Sequence, residues 1–299
     1  MSFYEEIASN KRRTYFLVFF FFVFVIALGL MIGVLYGNSY FGLILALVIG
    51  VLYFLFSYYG GANAILSMTG AQEATKPQYT TLINTVEGLA IAAGLPAVPK
   101  VYVIEDSALN AFATGRDPEH ASVTVTTGLL ERLNKLELEG VLAHEISHIK
   151  NFDIRVMLLA SVMVGLTVLL SDFLLRSFLF GARGRDDREG NSITVVFIVV
   201  GLVLAILSPI IGELMKMAIS RKREFLADAS GAMLTRYPKG LADALRKIKD
   251  DPDPLVDKAN RATAHLFIST PFRKTKGTFT NLFSTHPDIN ERIKRLERM

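Results

Sequence analysis

The longest uncharged stretch of the chain sets the strongest limit on its fold. No charged residue occurs from Thr14 to Gln72, and this stretch divides at Gly37-Asn38-Ser39. Its two halves, Tyr15–Tyr36 and about Tyr40–Tyr59, are each long enough to cross a bilayer as a helix, which needs about 20 residues. The sequence therefore predicts a pair of transmembrane helices at the N-terminus.

The short polar arm before this stretch predicts its orientation. The arm, residues 1–13, ends in Lys11-Arg12-Arg13, and basic residues flanking a span favour the cytoplasmic side. Two crossings would return the chain to the cytoplasm near Gly60. A cleaved signal peptide is the alternative for the first apolar run. That run is too long and too aromatic for one, and it lacks a small-x-small cleavage site.

Composition narrows the kinds of site that the chain can carry. The hydrophobic fraction is 51% and the mean hydropathy is +0.38, both high for a soluble protein. The absence of cysteine excludes disulfides and thiolate zinc sites, which leaves His, Asp and Glu as metal ligands. A formal charge of +4 beside apolar runs favours a lipid bilayer as partner, and no aromatic-and-basic pattern indicates nucleic acid.

A metal-binding pattern lies in the stretch Leu136–Phe152. It contains His144-Glu145-x-x-His148, and two histidines four residues apart share one face of a helix and can reach one ion. Glu145 is close enough to act on a water at that ion without ligating it, as in a zinc hydrolase. Gly140 lies one turn earlier on the same face, where another segment can approach closely. An amphipathic helix with two carboxylate-paired histidines is the alternative.

A small sheet is predicted just before this helix. Thr80–Ala93 has helical spacing, whereas Val101–Ile104 and Ala121–Thr127 have strand composition. A short segment between the two strands could form an edge strand that pairs with an extended peptide, or a hairpin that only supports the helix. The candidate substrate-binding residues in that segment are Asn110, Ala111, Phe112 and Ala113.

A second apolar pair follows the metal helix. Val156–Leu170 and Ile193–Ile211 flank a polar loop, and they predict either a spanning hairpin or one that dips into the interface. In both cases the chain from residue 216 onward returns to the side that holds His144.

A catalytic zinc usually needs a third protein ligand, and Glu224 is the leading candidate. Asp228 lies one turn further on the same helix face and could accept a hydrogen bond from a ligating imidazole. Asp153 and Glu213 are weaker alternatives as ligands. The alternative for the segment around Glu224 is a surface helix with pairs of Arg and Glu residues. Spacing alone favours that alternative.

The full set of motifs resembles the membrane-bound zinc metalloproteases of the M48 family, in particular its bacterial HtpX branch. The resemblance is carried by His144–His148, by Glu224-Phe225-Leu226-Ala227-Asp228, by Asn110–Ala113 and by His286-Pro287 with Arg292. It implies one Zn²⁺ per chain on His144, His148 and Glu224, with Glu145 catalytic. By similarity to the family's C-terminal pair, His286 and Arg292 are candidate donors to the oxyanion. It also implies a part in stress response and protein quality control.

The predicted fold is α+β, a predominantly helical integral membrane protein with a cytosolic zincin-like metalloprotease domain and a small β-sheet. We expect an N-terminal transmembrane hairpin at residues 1–60 and a second hairpin at residues 156–215. The two parts of the catalytic domain would be residues 61–155 and 216–299. His120 and His265 are expected to be structural or surface residues.

The predicted function is that of a zinc endopeptidase in the bacterial cytoplasmic membrane. It would be multi-pass, with its N-terminus and active site facing the cytoplasm, and would cleave misfolded or damaged membrane proteins. An intramembrane protease is disfavoured, because the charges flanking the metal helix are costly in hydrocarbon. A catalytically silent chaperone or a transporter is the alternative of another class, but the first two spans lack the charges that a transport pathway needs.

Overall fold

Two long helices begin the protein. The structure, a computed structural model, describes residues 3–35, 37–161, 201, 221–251, 268 and 287–299. Helices α1 (Phe3–Leu35) and α2 (Ser39–Thr69) contain the two stretches, Ile7–Leu30 and Ser39–Thr69, that are long and apolar enough to cross a membrane. Both helices extend beyond the predicted spans. The expected N-terminal polar arm is in fact helical from Phe3 onward, because its inner face packs against the rest of the protein.

One face of α1 is buried along most of its length. The buried positions are spaced three or four residues apart, which is one helix face: Asn10, Thr14, Leu17, Phe21 and Val25. The backbones of α1 and α2 are in direct contact, since a Cβ on Gly42 of α2 would lie 2.4 Å from Cα of Gly33 of α1. The opposite surface of α2 exposes large apolar side chains such as Ile44, Leu52 and Phe56, as expected for contact with lipid.

A four-stranded sheet follows in the order β1-β2-β4-β3. The strands and the helix among them are β1 (Gln72–Glu73), α3 (Lys76–Ala93), β2 (Lys100–Ile104), β3 (Ala111–Gly115) and β4 (Ala121–Thr126). β2 and β4 are parallel, and β3 pairs antiparallel with β4, so β3 is an edge strand of this sheet. The predicted strands are confirmed. The exposed two-residue strand β1, too short to show a hydrophobic period, was missed.

The other described helices enclose a central one. They are α4 (Thr127–Arg132), α5 (Lys135–Lys150), α6 (Arg221–Thr235), α7 (Pro238–Lys249) and α8 (Ile289–Leu296). Helix α5 packs against α3, α6, α7 and strand β3. Its apolar residues Leu142, Ile146 and Ile149 are fully buried, and each contributes about 1.5–3 kcal/mol of hydrophobic free energy. The predicted fold class, mostly helical with a small mixed sheet, is confirmed.

Helix α5 has a well-defined start. The side chain of Asn134 accepts a hydrogen bond from the backbone N–H of Glu137, and Glu137 accepts one from the backbone N–H of Asn134, which is a capping box. Lys247 of α7 also donates to Glu137 over 2.7 Å. These bonds fix the first turn of the helix that carries the histidines.

Two glycines bring α6 and α7 close to α5. A Cβ on Gly140 would lie 2.6 Å from the backbone nitrogen of Leu241 in α7, so the close approach expected at Gly140 is confirmed. A Cβ on Gly231 of α6 would lie 3.0 Å from the backbone nitrogen of His144. Helix α6 therefore packs directly on the backbone of the histidine helix.

The second apolar pair lies largely outside the described residues. Residues 153–161 are helical, and Val156, Leu159 and Ala160 are buried against Leu17 of α1. The chain after α5 thus returns along the base of the first helix.

Candidate metal centre

The two histidines of α5 face each other in the core. Their Nε2 atoms are 3.1 Å apart, and both side chains are almost completely buried. Glu224, in the first turn of α6, brings one carboxylate oxygen to 3.8 Å from Nε2 of His144 and the other to 3.6 Å from Nε2 of His148. One ligand atom from each residue lies within 4.8 Å of the others.

The spacing of these atoms fits a tetrahedral metal. Two ligands that are each about 2.1 Å from a tetrahedral zinc lie about 3.4 Å apart. The separation of 3.1 Å between the two Nε2 atoms is close to that value. The separations of 3.6 and 3.8 Å join the rings to different oxygens of Glu224, so a rotation of this carboxylate would bring one oxygen near both rings. Two imidazoles and one carboxylate are also a common donor set for catalytic zinc. Small shifts of these side chains would be enough to hold one ion.

The other ring nitrogen of His144 is held by Asp228. Oδ1 of Asp228 lies 2.9 Å from Nδ1 of His144. Arg292 of α8 donates to both carboxylate oxygens of Asp228, through Nε over 2.9 Å and through Nη2 over 2.7 Å. The same guanidinium reaches to 3.8 Å from Glu224. We call His144, Asp228 and Arg292 the arginine side of the centre.

The other ring nitrogen of His148 is held by a different carboxylate. Oδ2 of Asp153 lies 2.9 Å from Nδ1 of His148. Oδ1 of Asp153 accepts a hydrogen bond of 2.7 Å from the side-chain amide of Asn10 in α1, and lies 3.6 Å from Arg223. We call His148, Asp153 and Asn10 the asparagine side of the centre.

These partners change the protonation of the centre. Burial alone would lower the pKa of His148, but Asp153, Glu224 and Glu145 together raise this pKa to about 9. Burial would raise the pKa of Asp228, but Arg292 and His144 lower it to about 2. Burial opposes the charge on Arg292 too, yet Asp228, Glu224 and Glu145 raise its pKa, so the guanidinium stays charged.

Glu145 lies inside the same group. Its side chain is buried, and its carboxylate is near enough to raise the pKa of both His148 and Arg292. It follows His144 directly on α5, so it lies beside the three ligand atoms without being one of them.

The structure brings most of the predicted site residues together. His144, Glu145, His148, Glu224, Asp228 and Arg292 form one buried group. Arg292 is only 1% exposed, so it does not lie on a solvated helix face. Asp153, a weaker ligand candidate by sequence, contacts the ring nitrogen of His148 that faces away from Glu224. His286, His265 and Glu213 lie outside the described residues. His120 is partly exposed and contacts Asp117.

The predicted substrate segment lies at the sheet edge but is buried. Asn110, Ala111, Phe112 and Ala113 are each at most 1% exposed. The carbonyl of Ala111 already accepts a hydrogen bond of 2.9 Å from the backbone N–H of Ile268. Part of this edge is therefore covered by the chain itself.

Sequence reasoning missed two residues of the centre. By sequence, Asn10 belongs to a short polar arm and Arg223 to a helix of Arg and Glu pairs. Asn10 is 143 residues from Asp153, so no local period relates them. The one local signal was the three- and four-residue spacing that continues from Leu17 back through Thr14 to Asn10.

Comparison with known proteins assigns the fold to a family. The profile of peptidase family M48 matches residues 77–299. A protease HtpX homolog of Dictyoglomus thermophilum is 48% identical, over 100% of this chain and 95% of that protein. One from Listeria monocytogenes is 43% identical, over 99% of each chain. A crystal structure of S. mikatae Ste24p is 20% identical with a TM-score of 0.45, and the match covers 82% of this chain and 58% of that one.

Proposed function

Because the chain belongs to peptidase family M48 and is a membrane metalloendopeptidase, we propose that it uses zinc to cleave misfolded or damaged membrane proteins. The observation that carries the proposal is the convergence of His144, His148 and Glu224 within 4.8 Å in the core. An imidazole and carboxylate donor set without thiolates suits zinc. A bound zinc would lower the pKa of a coordinated water from 15.7 to about 7.

Two aspartates that are not proposed ligands set the tautomers of the histidines. Asp228 and Asp153 each accept a hydrogen bond from an Nδ1–H group, so the Nε2 lone pairs of His144 and His148 are available to the metal. The raised pKa of His148 means that metal binding at neutral pH displaces a proton from this ring.

Glu145 is the proposed general base and acid. It would accept a proton from the attacking water and return it to the leaving amine of the peptide. Its burial beside Arg292 supports this role, because a carboxylate in such a site keeps its orientation while the proton moves.

Arg292 and His286 are the proposed donors to the oxygen of the attacked carbonyl. Arg292 binds Asp228 through Nε and Nη2, which leaves Nη1 as the group facing Glu224 at 3.8 Å. One such donor contributes about 3 kcal/mol to lowering the barrier. His286 is proposed from the family resemblance alone.

An extended substrate is proposed to pair with the edge strand β3 as an added strand. The carbonyl of Asn110 accepts from Thr126 on the β4 side, and that of Ala111 accepts from Ile268 on the opposite side, so alternate residues of β3 turn their backbone groups to the outer edge. Ala111 already uses its carbonyl for Ile268, so we assign the pairing to Ala113, two residues further along.

We propose that the site faces the cytoplasm and that residues 61–155 and 216–299 form one catalytic domain. The packing of α5 against α6 and α7 supports a single domain. The basic cluster at Lys11-Arg12-Arg13 supports the orientation. The two apolar helices would keep the enzyme beside substrates in the bilayer.

The decisive experiment compares the wild type with Glu145→Gln, each purified in detergent, stripped of metal and resupplied with zinc. An unfolded casein is the substrate, and Glu139→Gln on the same helix is the control. We expect zinc to restore cleavage in the wild type and the control. Glu145→Gln should bind zinc but cleave about 10²–10⁴-fold more slowly. Unchanged turnover in Glu145→Gln would remove it from this role.

The substrate class needs a separate test. The enzyme is placed in lipid vesicles with a membrane protein and with a destabilised variant of that protein. Faster cleavage of the destabilised variant is expected, and equal rates would contradict a role in quality control.

A further inference from the structure

The base of the first membrane helix reaches the metal centre. Asn10 is fully buried, and it lies near the N-terminal end of the apolar stretch Ile7–Leu30. Its side-chain amide donates to Oδ1 of Asp153 over 2.7 Å and to the backbone carbonyl of Asn151 over 2.8 Å. Its side-chain oxygen accepts from Arg223 over 3.4 Å. Both N–H groups and the oxygen of the Asn10 side-chain amide therefore have hydrogen-bond partners.

These bonds lead directly to a proposed metal ligand. Asp153 receives Asn10 on Oδ1 and contacts Nδ1 of His148 with Oδ2. A carboxylate held at one oxygen has less freedom to rotate, so its other oxygen keeps a fixed direction toward the ring. The orientation of His148 therefore depends on α1 through a single intermediate side chain.

The turn that carries Asp153 needs outside support. Phe152 has φ 61°, a left-handed conformation that is unfavourable for a bulky side chain. Asn10 bonds the residues on both sides of Phe152, and Lys11 lies over the Phe152 ring at 5.0 Å. Two consecutive residues of α1 thus hold this turn in the conformation that aims Asp153 at His148.

The chemistry of asparagine suits this position. The site requires two donors and one acceptor in a space shielded from water, which an amide supplies without charge. An aspartate at position 10 would offer no donor and would place a second carboxylate against Asp153. A leucine would fill a similar volume but leave Asp153 with one hydrogen bond fewer.

We propose that Asn10 is a positioning residue for the metal centre, and that it orients His148 through Asp153. The N-terminal helix is then a structural part of the active site as well as an anchor. The inference rests on the proposed metal site. It goes beyond that site by including a residue of the membrane helix in metal affinity and geometry.

The test measures metal binding by the full chain in detergent. The dissociation constant for Zn²⁺ is obtained by competition with a chromophoric chelator, and the visible spectrum of the Co²⁺-loaded protein reports the coordination geometry. We expect Asn10→Leu to weaken Zn²⁺ binding about tenfold, at the lower end of the effect of outer partners. The Co²⁺ spectrum at saturation should also change.

Thr14→Val is the matched control. Thr14 is buried on the same face of α1, one turn beyond Asn10, and its hydroxyl donates to the backbone carbonyl of Asn10. This hydroxyl bonds within α1 and not to the Asp153 turn, so the affinity and the spectrum should match the wild type. Should Asn10→Leu fail to fold, Asn10→Ser is used, since it is smaller and keeps one donor; an intermediate loss is expected.

A double-mutant cycle separates positioning from general attachment of α1. In the Asp153→Ala background, Asn10→Leu should change Zn²⁺ affinity less than twofold, because its route to His148 has already been removed. A full additional loss in that background, or an unchanged affinity and Co²⁺ spectrum in Asn10→Leu alone, would overturn the inference. If the wild type binds no Zn²⁺, both the proposed function and this inference are wrong. If the wild type binds Zn²⁺ and Asn10→Leu binds equally well, only this inference falls.

Discussion

The two sides of the metal centre orient their histidines with different chemistry. Each histidine has one ring nitrogen facing Glu224 and the other held by an aspartate. On the arginine side, Asp228 is bound by two N–H groups of Arg292, from a helix near the C-terminus. On the asparagine side, Asp153 is bound by the neutral amide of Asn10, from the first membrane helix.

The two aspartates differ in the group that holds them most closely, which is a charged guanidinium for Asp228 and a neutral, directional amide for Asp153. Arg292 and Asp228 are both almost fully buried, and a buried ion of such a pair is costly when it loses its partner. Asn10 contributes no charge, so its value lies in direction and in the support of a strained turn. Loss of Arg292 should therefore destabilise the protein, whereas loss of Asn10 should chiefly change the orientation of His148.

The largest expected effect comes from breaking the ion pair. Arg292→Met should lower the free energy of unfolding of the metal-free protein by about 3–5 kcal/mol, because Asp228 is left buried without its cation. Arg223→Met should cost less, since Asp153 keeps the hydrogen bond from Asn10. Unfolding in detergent with a chelator present measures both variants. Equal losses would remove the distinction between the two sides.

The next effect is a dependence of stability on pH that belongs to the asparagine side. The pKa of His148 is raised to about 9 in the folded protein, above its ordinary value of 6.5. Its protonation therefore stabilises the metal-free protein fully below pH 6.5, and this contribution, about 3 kcal/mol, is lost as the pH rises through 9. The stability difference between wild type and His148→Gln should shrink over that range. A constant difference would contradict the raised pKa.

Removing either aspartate should weaken metal binding to a smaller extent. Asp228→Ala and Asp153→Ala should each lower Zn²⁺ affinity about 10–100-fold, as for other outer partners of histidine ligands. Glu224→Ala, which removes a proposed ligand, should lower it further than either aspartate variant. Competition with a chelator compares the three variants. Equal zinc content in Glu224→Ala and wild type would send the search for the third ligand elsewhere.

The smallest expected effect comes from the helix contact behind His144. A Cβ at Gly231 would lie 3.0 Å from the backbone nitrogen of His144, so Gly231→Ala should push α6 away by a few tenths of an ångström. We expect a loss of Zn²⁺ affinity below about tenfold, since the proposed ligand and its aspartate move together on α6. Gly88→Ala in α3 is the control, because its Cβ meets nothing within 4 Å. An equal change in both variants would exclude the helix contact as the cause.

The sequence predicted the parts of the site that depend on local spacing. His144, Glu145 and His148 follow from the period of one helix, and Asp228 follows Glu224 by one turn of another. Joining these two helices needed the family resemblance, since spacing alone favoured a surface helix. The contacts of Asn10 and Arg223 arise only when distant segments meet in the folded chain. Hydrophobicity placed the start of the first helix too late, at Tyr15 instead of Phe3, because the first turns of α1 pack through polar side chains such as Asn10.

The charged side chains described around the centre also favour one charge for the ion that it would hold. The charged side chains described on its two sides and around its ligands are four carboxylates and two guanidinium groups: Glu145, Asp153, Glu224 and Asp228, with Arg223 and Arg292. With neutral imidazoles, this leaves an excess of two negative charges in a space shielded from water, which is costly until it is neutralised. In the metal-free protein, the proton on His148 supplies half of the missing charge. A divalent cation would supply all of it, so the charge balance of the described residues favours an M²⁺ ion independently of coordination geometry.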